Sequence, residues 1–418
     1  MTELRKDRLV NELMYNTMSI HFPVDNIESI SEDNILTESM VVKQSICDDD
    51  NLRFGGCIAS ELTIGITSTE ARKFFDNQYV GKLISVVIVQ TAPTGEKVLP
   101  SQSLLPSATL YPNEYIGDDT FYVFSGYIDS FVMDKQDSNS FTLTAYDVFS
   151  KMYRRDASQW FYKNVIIDDT MTLWQVFSDC LEKFSVTFNE SAVKKYFNEK
   201  LADNSVLGDM HIFNDKWKTS SGKVTYGQII KDICEMLGLF GFIKPNSSDG
   251  EFVLLDPFDS NRTEETYTFY EELSIDANYK TRFFGEIIIA QSEKTSTITP
   301  DFITSSSDNS YDMTDNVMVY MRNSSDGRLN VLWSGDCGKR ITGYGRGRSY
   351  LILTATLDGR LWVNIGDYLR IRQNITDVNG DYVLDEDGEI ETIDRVVPLL
   401  SRTIKGIQAL TDYIETKG

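Results

Sequence analysis

Asn34-Ile35-Leu36-Thr37-Glu38-Ser39, then Ser45-Ile46-Cys47, three aspartates at Asp48, Asp49 and Asp50, and Leu52-Arg53-Phe54-Gly55-Gly56-Cys57-Ile58-Ala59-Ser60 form a stretch that builds scaffold and assembles no chemistry. It brings together no base, nucleophile or metal-ligand cluster. A strand edge, an acidic turn, a Gly-Gly step and a second apolar segment read as strand, turn and strand. The sequence to either side agrees. Residues 61–66 alternate, with Leu62, Ile64 and Ile66 on one face. Residues 83–89 are a nearly continuous apolar run, suited to a strand buried on both faces. Residues 122–133 and 140–148 read as two further strands joined across a polar turn at 135–139. Residues 91–115 are polar and rich in Pro and Ser, which predicts a long loop. Upstream, residues 1–21 open as a short helix with Leu9, Val10, Leu13 and Met14 on one side, an arm that packs on something else.

The chain has 418 residues, which favours two to four domains over one core. Apolar residues make up 41% and aromatic residues 12%, enough to bury real cores despite a net charge of -23. That charge argues against sequence-nonspecific DNA binding, which needs a basic stripe, and against an anionic membrane surface. It fits solubility, or an acidic channel wall that lets DNA pass because phosphates are repelled. The five cysteines, Cys47, Cys57, Cys180, Cys234 and Cys337, have no Cys-x-x-Cys spacing and read as thiols in a reducing compartment. Cys180 and Cys234 fall on apolar faces of predicted helices. The two histidines, His21 and His211, lack partners at ligand spacing, so no zinc site is expected. The charged start at residues 1–8 and the lack of a bilayer-length apolar run predict no signal peptide and no membrane insertion by this chain.

Composition changes after Trp160. Thr170 is placed to cap a helix carrying Leu173, Trp174, Phe177, Leu181 and Phe184 on one stripe. Ser191 caps a second, with Val193, Phe197 and Leu201 inward. Thr225 and Gln228 have capping-box spacing ahead of Ile229, Ile230, Ile233 and Leu237, and Gly238 stops that helix. Residues 240–244 and 252–255 form a hairpin across 246–250. From Phe283 strands return at 287–289, 317–321, 329–333, 350–356, 361–363 and 366–372, with a loop at 296–315. Asn379-Gly380 and Asp387-Gly388 divide a three-stranded meander, and residues 403–413 close the chain.

Several motifs tempt a chemical reading. Asp377 to Asp381 looks like the start of a calcium loop, but Tyr382 stands where that loop needs glycine and Gly388 where it needs the bidentate glutamate. Gly343-Tyr344-Gly345-Arg346-Gly347-Arg348 lacks the spacing of a phosphate loop and reads as a strand connection, with contact to an acidic surface as the alternative. Asp118-Asp119 and Asp168-Asp169 are adjacent carboxylates, whereas glycoside hydrolysis needs two facing each other across a pocket. No Gly-x-Ser-x-Gly elbow and no His-Glu-x-x-His occurs. The expectation is a non-enzyme with no cofactor.

Four segments together carry a resemblance: residues 34–60 with Phe54-Gly55; Phe124-Ser125-Gly126-Tyr127-Ile128-Asp129 with Leu143-Thr144-Ala145-Tyr146-Asp147; Leu357 to Leu369 with Gly366-Asp367; and Lys405-Gly406-Ile407 onward. The pattern resembles phage tail hub and baseplate hub proteins, over about residues 30–418. The resemblance implies a mainly β fold with α+β insertions, two β-barrel domains flanking α+β domains. The implied domains are an arm at 1–23, a first barrel at 24–155, an α+β domain at 156–282 and a second barrel at 283–418, with barrels that are often discontinuous. Phe54, Gly55, Gly126, Asp129, Asp147, Gly366, Asp367 and Gly406 are its motif residues, with backbone roles. It further implies a homotrimeric ring, made in the host cytoplasm and placed in the virion tail. The ring joins a sixfold tail tube or distal tail ring to a threefold tip, spike or fibre. Its channel passes DNA or tape-measure protein. The end at Gly418 leads to the expectation that a lytic function lies on a separate tip protein. The competing expectations are a β-rich glycan-cleaving enzyme and a glycan-binding adhesin.

Overall fold

A computed structural model of the chain describes residues 15–24, 27–46, 55–67, 70, 79–91, 118–133, 140–167, 171–200, 224–237, 239–245, 249–256, 266–270, 278–283, 286–290, 301–304, 317–321, 349–358, 361, 363–375, 377, 382–385, 388–406 and 411–417. The first β-region contains β1 (Tyr15–His21), β2 (Ile35–Ser45), β3 (Gly56–Cys57), β4 (Glu61–Thr67), β5 (Leu83–Thr91), β6 (Asp118–Met133) and β7 (Ser140–Tyr146). Six of them form an antiparallel path in the order β1-β5-β6-β7-β4-β2. The alternation read in β4 holds, since Leu62, Ile64 and Ile66 are all fully buried. In β5 the continuous apolar run also holds: Ile84, Val86, Val87 and Ile88 are buried, together with Ser85.

Three local readings are corrected here. Residues 15–21 are strand, paired with β5 throughout, while the helix read from Leu9 to Met14 lies outside the described residues. The second strand read after the Gly-Gly step is only the two-residue β3, which begins on Gly56 and pairs in parallel with Phe240-Gly241 in the α+β layer, and residues 58–60 are in no strand. The strand read over 140–148 ends at Tyr146, because Asp147 caps a helix. The irregular pairing of β2 with β4 also has a local cause. The Ser39 hydroxyl accepts from Gly65 N at 2.7 Å and donates to Leu36 O at 2.5 Å, replacing a ladder bond where the register shifts.

The middle of the chain supplies α1 (Val148–Arg154), the short α2 (Ser158–Phe161) running into a π turn, α3 (Leu173–Glu182), α4 (Glu190–Lys200) and α5 (Tyr226–Leu237). Thr170 lies outside the described residues, and Thr172 caps α3 in a full capping box with Gln175. Ser191 does not cap α4. Asn189 does, accepting from Ala192 N at 3.1 Å. Thr225 caps α5 as read, through Gln228 N at 3.2 Å, but the Gln228 amide donates to Asp232 at 2.7 Å. β8 (Phe240–Lys244) and β9 (Glu251–Leu255) form the expected hairpin. Their core is aromatic, with Phe177, Phe197 and Phe252 packed around Trp174 and Phe149.

The last part contributes β10 (Thr266–Tyr270), β11 (Asn278–Phe283), β12 (Glu286–Ala290), β13 (Asp301–Thr304), β14 (Val317–Met321), β15 (Ser349–Asp358), β16 (Tyr368–Asn374), β17 (Thr392–Lys405) and β18 (Thr411–Lys417). The loop read at 296–315 contains β13, Leu361 is turn and Val363 lies in no strand, and of residues 403–413 those described are the end of β17, Gly406 and the start of β18. Residues 329–333 lie outside the described residues.

The two β-regions are continuous. β2 pairs β4 on one side and β17 on the other, and the path runs on through β18, β15 and β11. β17 serves two neighbourhoods. Thr392 to Pro398 pair with β16, Leu399 pairs with β18, and beyond a bulge at Leu400 Ser401 to Lys405 pair with both β2 and β18. Leu400 is buried in the helical core, while Ile404 is buried in the sheet core. β12, β13 and β14 form a separate three-stranded sheet. The fold is mainly β with inserted helices. Among the described residues no sheet closes on itself.

Candidate functional site

Three of the expected motif residues, Asp147, Gly366 and Asp367, stand where the sheet meets the α+β layer. Asp147 leaves the end of β7 and is almost fully buried. Its carboxylate accepts from Ser60 N at 2.7 Å and from Phe149 N at 2.9 Å. Its main chain repeats the link, with Asp147 N donating to Ser60 O at 3.1 Å. One side chain therefore clamps the approach to β4 and caps α1. Burial pushes its carboxyl up from 3.8 to about 7, against the backbone and hydroxyl bonds from Ser60 and Phe149 that favour the charged form. The seam continues through Tyr153 on α1, whose hydroxyl donates to Cys57 O at 2.5 Å. Burial raises the Cys57 thiol well above its ordinary range, so it stays protonated.

Gly366-Asp367 forms the corresponding joint ahead of β16. Gly366 has φ 88°, and a Cβ there would lie 2.6 Å from the Phe242 ring of β8. Asp367 accepts from Asn364 N at 2.7 Å, as the sequence reading expected of a turn aspartate. Its second oxygen meets Lys244 Nζ of β8 at 3.4 Å. Burial raises the Asp367 carboxyl, with Lys244, Asn364 and Arg402 pulling it back. Arg402 of β17 is 2% exposed and donates to Val363 O.

The remaining motif residues have separate places. Gly55 is buried with φ 95°, and Phe54 lies outside the described residues. Gly126 sits inside β6, where a Cβ would fall 2.4 Å from the Tyr146 carbonyl oxygen. Asp129 pairs with Arg154 at the surface. Gly406, at φ 72°, donates to Met40 O at 3.1 Å and turns the chain out of β17. Asp147 and the Asp367 group are joints of the same seam, while Gly126, Asp129 and Gly406 are elsewhere in the sheet.

Both buried carboxyl groups are turned onto main-chain donors, Asp147 onto Ser60 N and Phe149 N and Asp367 onto Asn364 N, and Asp367 also meets Lys244. Among the described residues no group of three or more His, Cys, Asp and Glu is placed to hold a metal ion, and no helix is long and apolar enough to cross a membrane. Of the adjacent aspartates weighed for hydrolysis, the Asp118 and Asp119 backbones lie at the start of β6, and Asp168-Asp169 lies outside the described residues. The calcium-like segment is described only at Asp377, and the glycine- and arginine-rich segment 343–348 lies outside.

No protein-family model matches the chain, and no curated protein does. Solved structures do. A tail protein from Neisseria meningitidis aligns over 97% of this chain and 97% of its own, with a TM-score of 0.52 and 15% identity. The chain shares the fold of that tail protein. A 43 kDa prophage tail protein from Shewanella oneidensis aligns over 96% and 97% with a TM-score of 0.44 and 12% identity. An E. coli type VI secretion component, described as similar to bacteriophage tail proteins, aligns over 95% and 75% with a TM-score of 0.42 and 9% identity.

Of the residues at this seam the sequence reading named Asp147, Gly366 and Asp367 and gave no role to Lys244, Ser60, Tyr153 and Arg402. Arg402 had a legible signal. It shares strand parity with the buried Ile404, so a charge stands at a core position. Lys244 had none, because its partner lies 123 residues away in sequence.

Proposed function

We propose that this chain is a structural subunit of a virion tail, acting as a trimeric hub. In this reading three copies form a ring that joins a sixfold tail tube or distal tail ring to a threefold tip, spike or fibre. The observation that carries it is the tail-protein fold shared along 97% of both chains. Residues 24–155 and 283–418 act as two barrel-like halves, the α+β layer at 156–282 braces them, and residues 1–23 are an arm. Two related halves per subunit present six similar faces above and three below. The net charge of -23 suits a channel wall that DNA or tape-measure protein passes without sticking. The motif residues act through the backbone: Asp147 and Asp367 brace the seam, Asp129 ties β6 to α1, and Gly55, Gly126, Gly366 and Gly406, with Phe54, set close approaches and turns. Catalysis has no part in it.

A persistent ring requires obligate interfaces of roughly 2,000 Å² or more. Light scattering and particle imaging of the purified protein, alone and with its tail partner, test this. The expected result is a trimer with threefold symmetry in at least one of the two states. A strict monomer in both removes the adaptor reading. Glycan hydrolysis that co-purifies with the chain and is lost on mutating a carboxylate replaces it with the enzyme reading.

A further inference from the structure

A small flap joins β16 to β17. Leu384 and Ile390 face each other across an antiparallel bridge. Main-chain bonds from Ile375 N to Glu391 O, Val383 N to Ile375 O and Glu391 N to Val383 O, at 2.8, 2.9 and 2.8 Å, knit three short segments together. Asp385 closes the far turn by accepting from Glu389 N at 2.9 Å, and Gly388 supplies the positive φ of 85° that the turn requires. Residues opposite one another share a face of a ladder, as do residues two apart. Tyr382, Leu384 and Ile390 therefore stand on one face of the flap, and they are 56%, 58% and 37% exposed.

Single exposed apolar side chains are ordinary, but three aligned on one face of a hydrogen-bonded element mark a contact surface. Their setting is strongly charged. Residues 377–394 hold eight acidic side chains and no lysine or arginine, and Asp377, Asp385, Glu389 and Glu391 are exposed. We propose that this face docks a different protein, one that offers an apolar pocket on a positively charged surface. Charge complementarity selects that occupant. A second copy of this chain brings a net charge of -23 against the eight acids, and facing like charges suppress such pairing. Tyr382 is the anchor, a residue type that dominates interface energetics when it fills a pocket, while Asp385, Glu389 and Glu391, which the same alternation puts on the other face of this thin ladder, lie within a Debye length and supply the negative field that steers the partner in. The tail reading enters only in saying where to look for the partner.

The test places a photoreactive benzoylphenylalanine at Tyr382 and, as a control, at the exposed Tyr162, in the full chain within native particles. Irradiation is followed by mass spectrometry of the adducts. The expected result is one adduct from position 382, to a different protein, through a peptide of net positive charge. Its yield falls roughly tenfold between 0.1 and 1 M salt, as the Debye length shrinks from about 10 to about 3 Å. The pair Glu389→Gln and Glu391→Gln lowers the yield, as does the pair Leu384→Ser and Ile390→Ser, with an unchanged circular dichroism spectrum. An adduct to a second copy, a neutral or acidic target peptide, a salt-independent yield, or no adduct from position 382 overturns the proposal. Absence of the chain from the particles sinks the tail reading instead, and irradiation of the producing cells then decides the flap by the same outcomes.

Discussion

Replacing Asp147 by asparagine tests the seam at its most buried charge. In the native protein the carboxyl is held at about 7 by burial, against an ordinary 3.8. The gap is about three pH units, each worth 1.36 kcal/mol, so about 4 kcal/mol is at stake. The sign follows from proton counting. Between pH 3.8 and about 7 the native state keeps a proton that the unfolded chain has released. Stability from this group is therefore complete below the unfolded value and is lost as pH rises to the folded value. About 3 kcal/mol of the loss falls between pH 5 and 8.5. Asparagine cannot titrate. It keeps an oxygen for Phe149 N, but it turns an amide donor toward Ser60 N, where the carboxylate accepted at 2.7 Å. The variant is thus destabilised at pH 5, and the difference narrows or reverses by pH 8.5. Urea unfolding of both proteins at half-unit pH steps measures this, and the subtraction removes the other titrating groups, Asp367 included. A difference that changes by less than about 1 kcal/mol across the window refutes the assignment of a raised, buried carboxyl to Asp147.

Gly126→Ala is expected to cost about 2–3 kcal/mol, because the new methyl meets the Tyr146 carbonyl at 2.4 Å and backbone cannot step aside; a shift in melting temperature reads it. Gly366 and Gly388 share nearly the same φ, 88° and 85°, but only Gly366 has a ring in the way, at 2.6 Å. Gly388→Ala should cost about 1 kcal/mol and Gly366→Ala about 1–3 kcal/mol more, and equal losses in chemical denaturation dismiss the close approach to Phe242. Cys57, Cys180 and Cys234 are buried, and burial raises the Cys57 and Cys180 thiols; peptide-resolved alkylation should label these three only when urea unfolds the chain, and labelling at native rates contradicts their burial.

What the chain determined alone was local. The period-two pattern of β4, the apolar run of β5, the spacing of Thr225 and Gln228 and the hairpin at 240–255 are written in neighbouring residues, because pleat, helix pitch and caps depend on offsets of two to four. The glycines and aspartates at turns were legible for the same reason, since φ and capping are properties of a few consecutive residues. Register and membership are different. That Gly56-Cys57 joins Phe240-Gly241, that β17 bends at Leu400 to serve two cores, and that the first and last β-regions share one sheet depend on pairings between residues far apart in the chain. Those pairings are chosen by which apolar faces can be buried together, and no short window records that choice. Lys244 and Arg402 acquire their roles in the same way, through partners that only the assembled seam brings near.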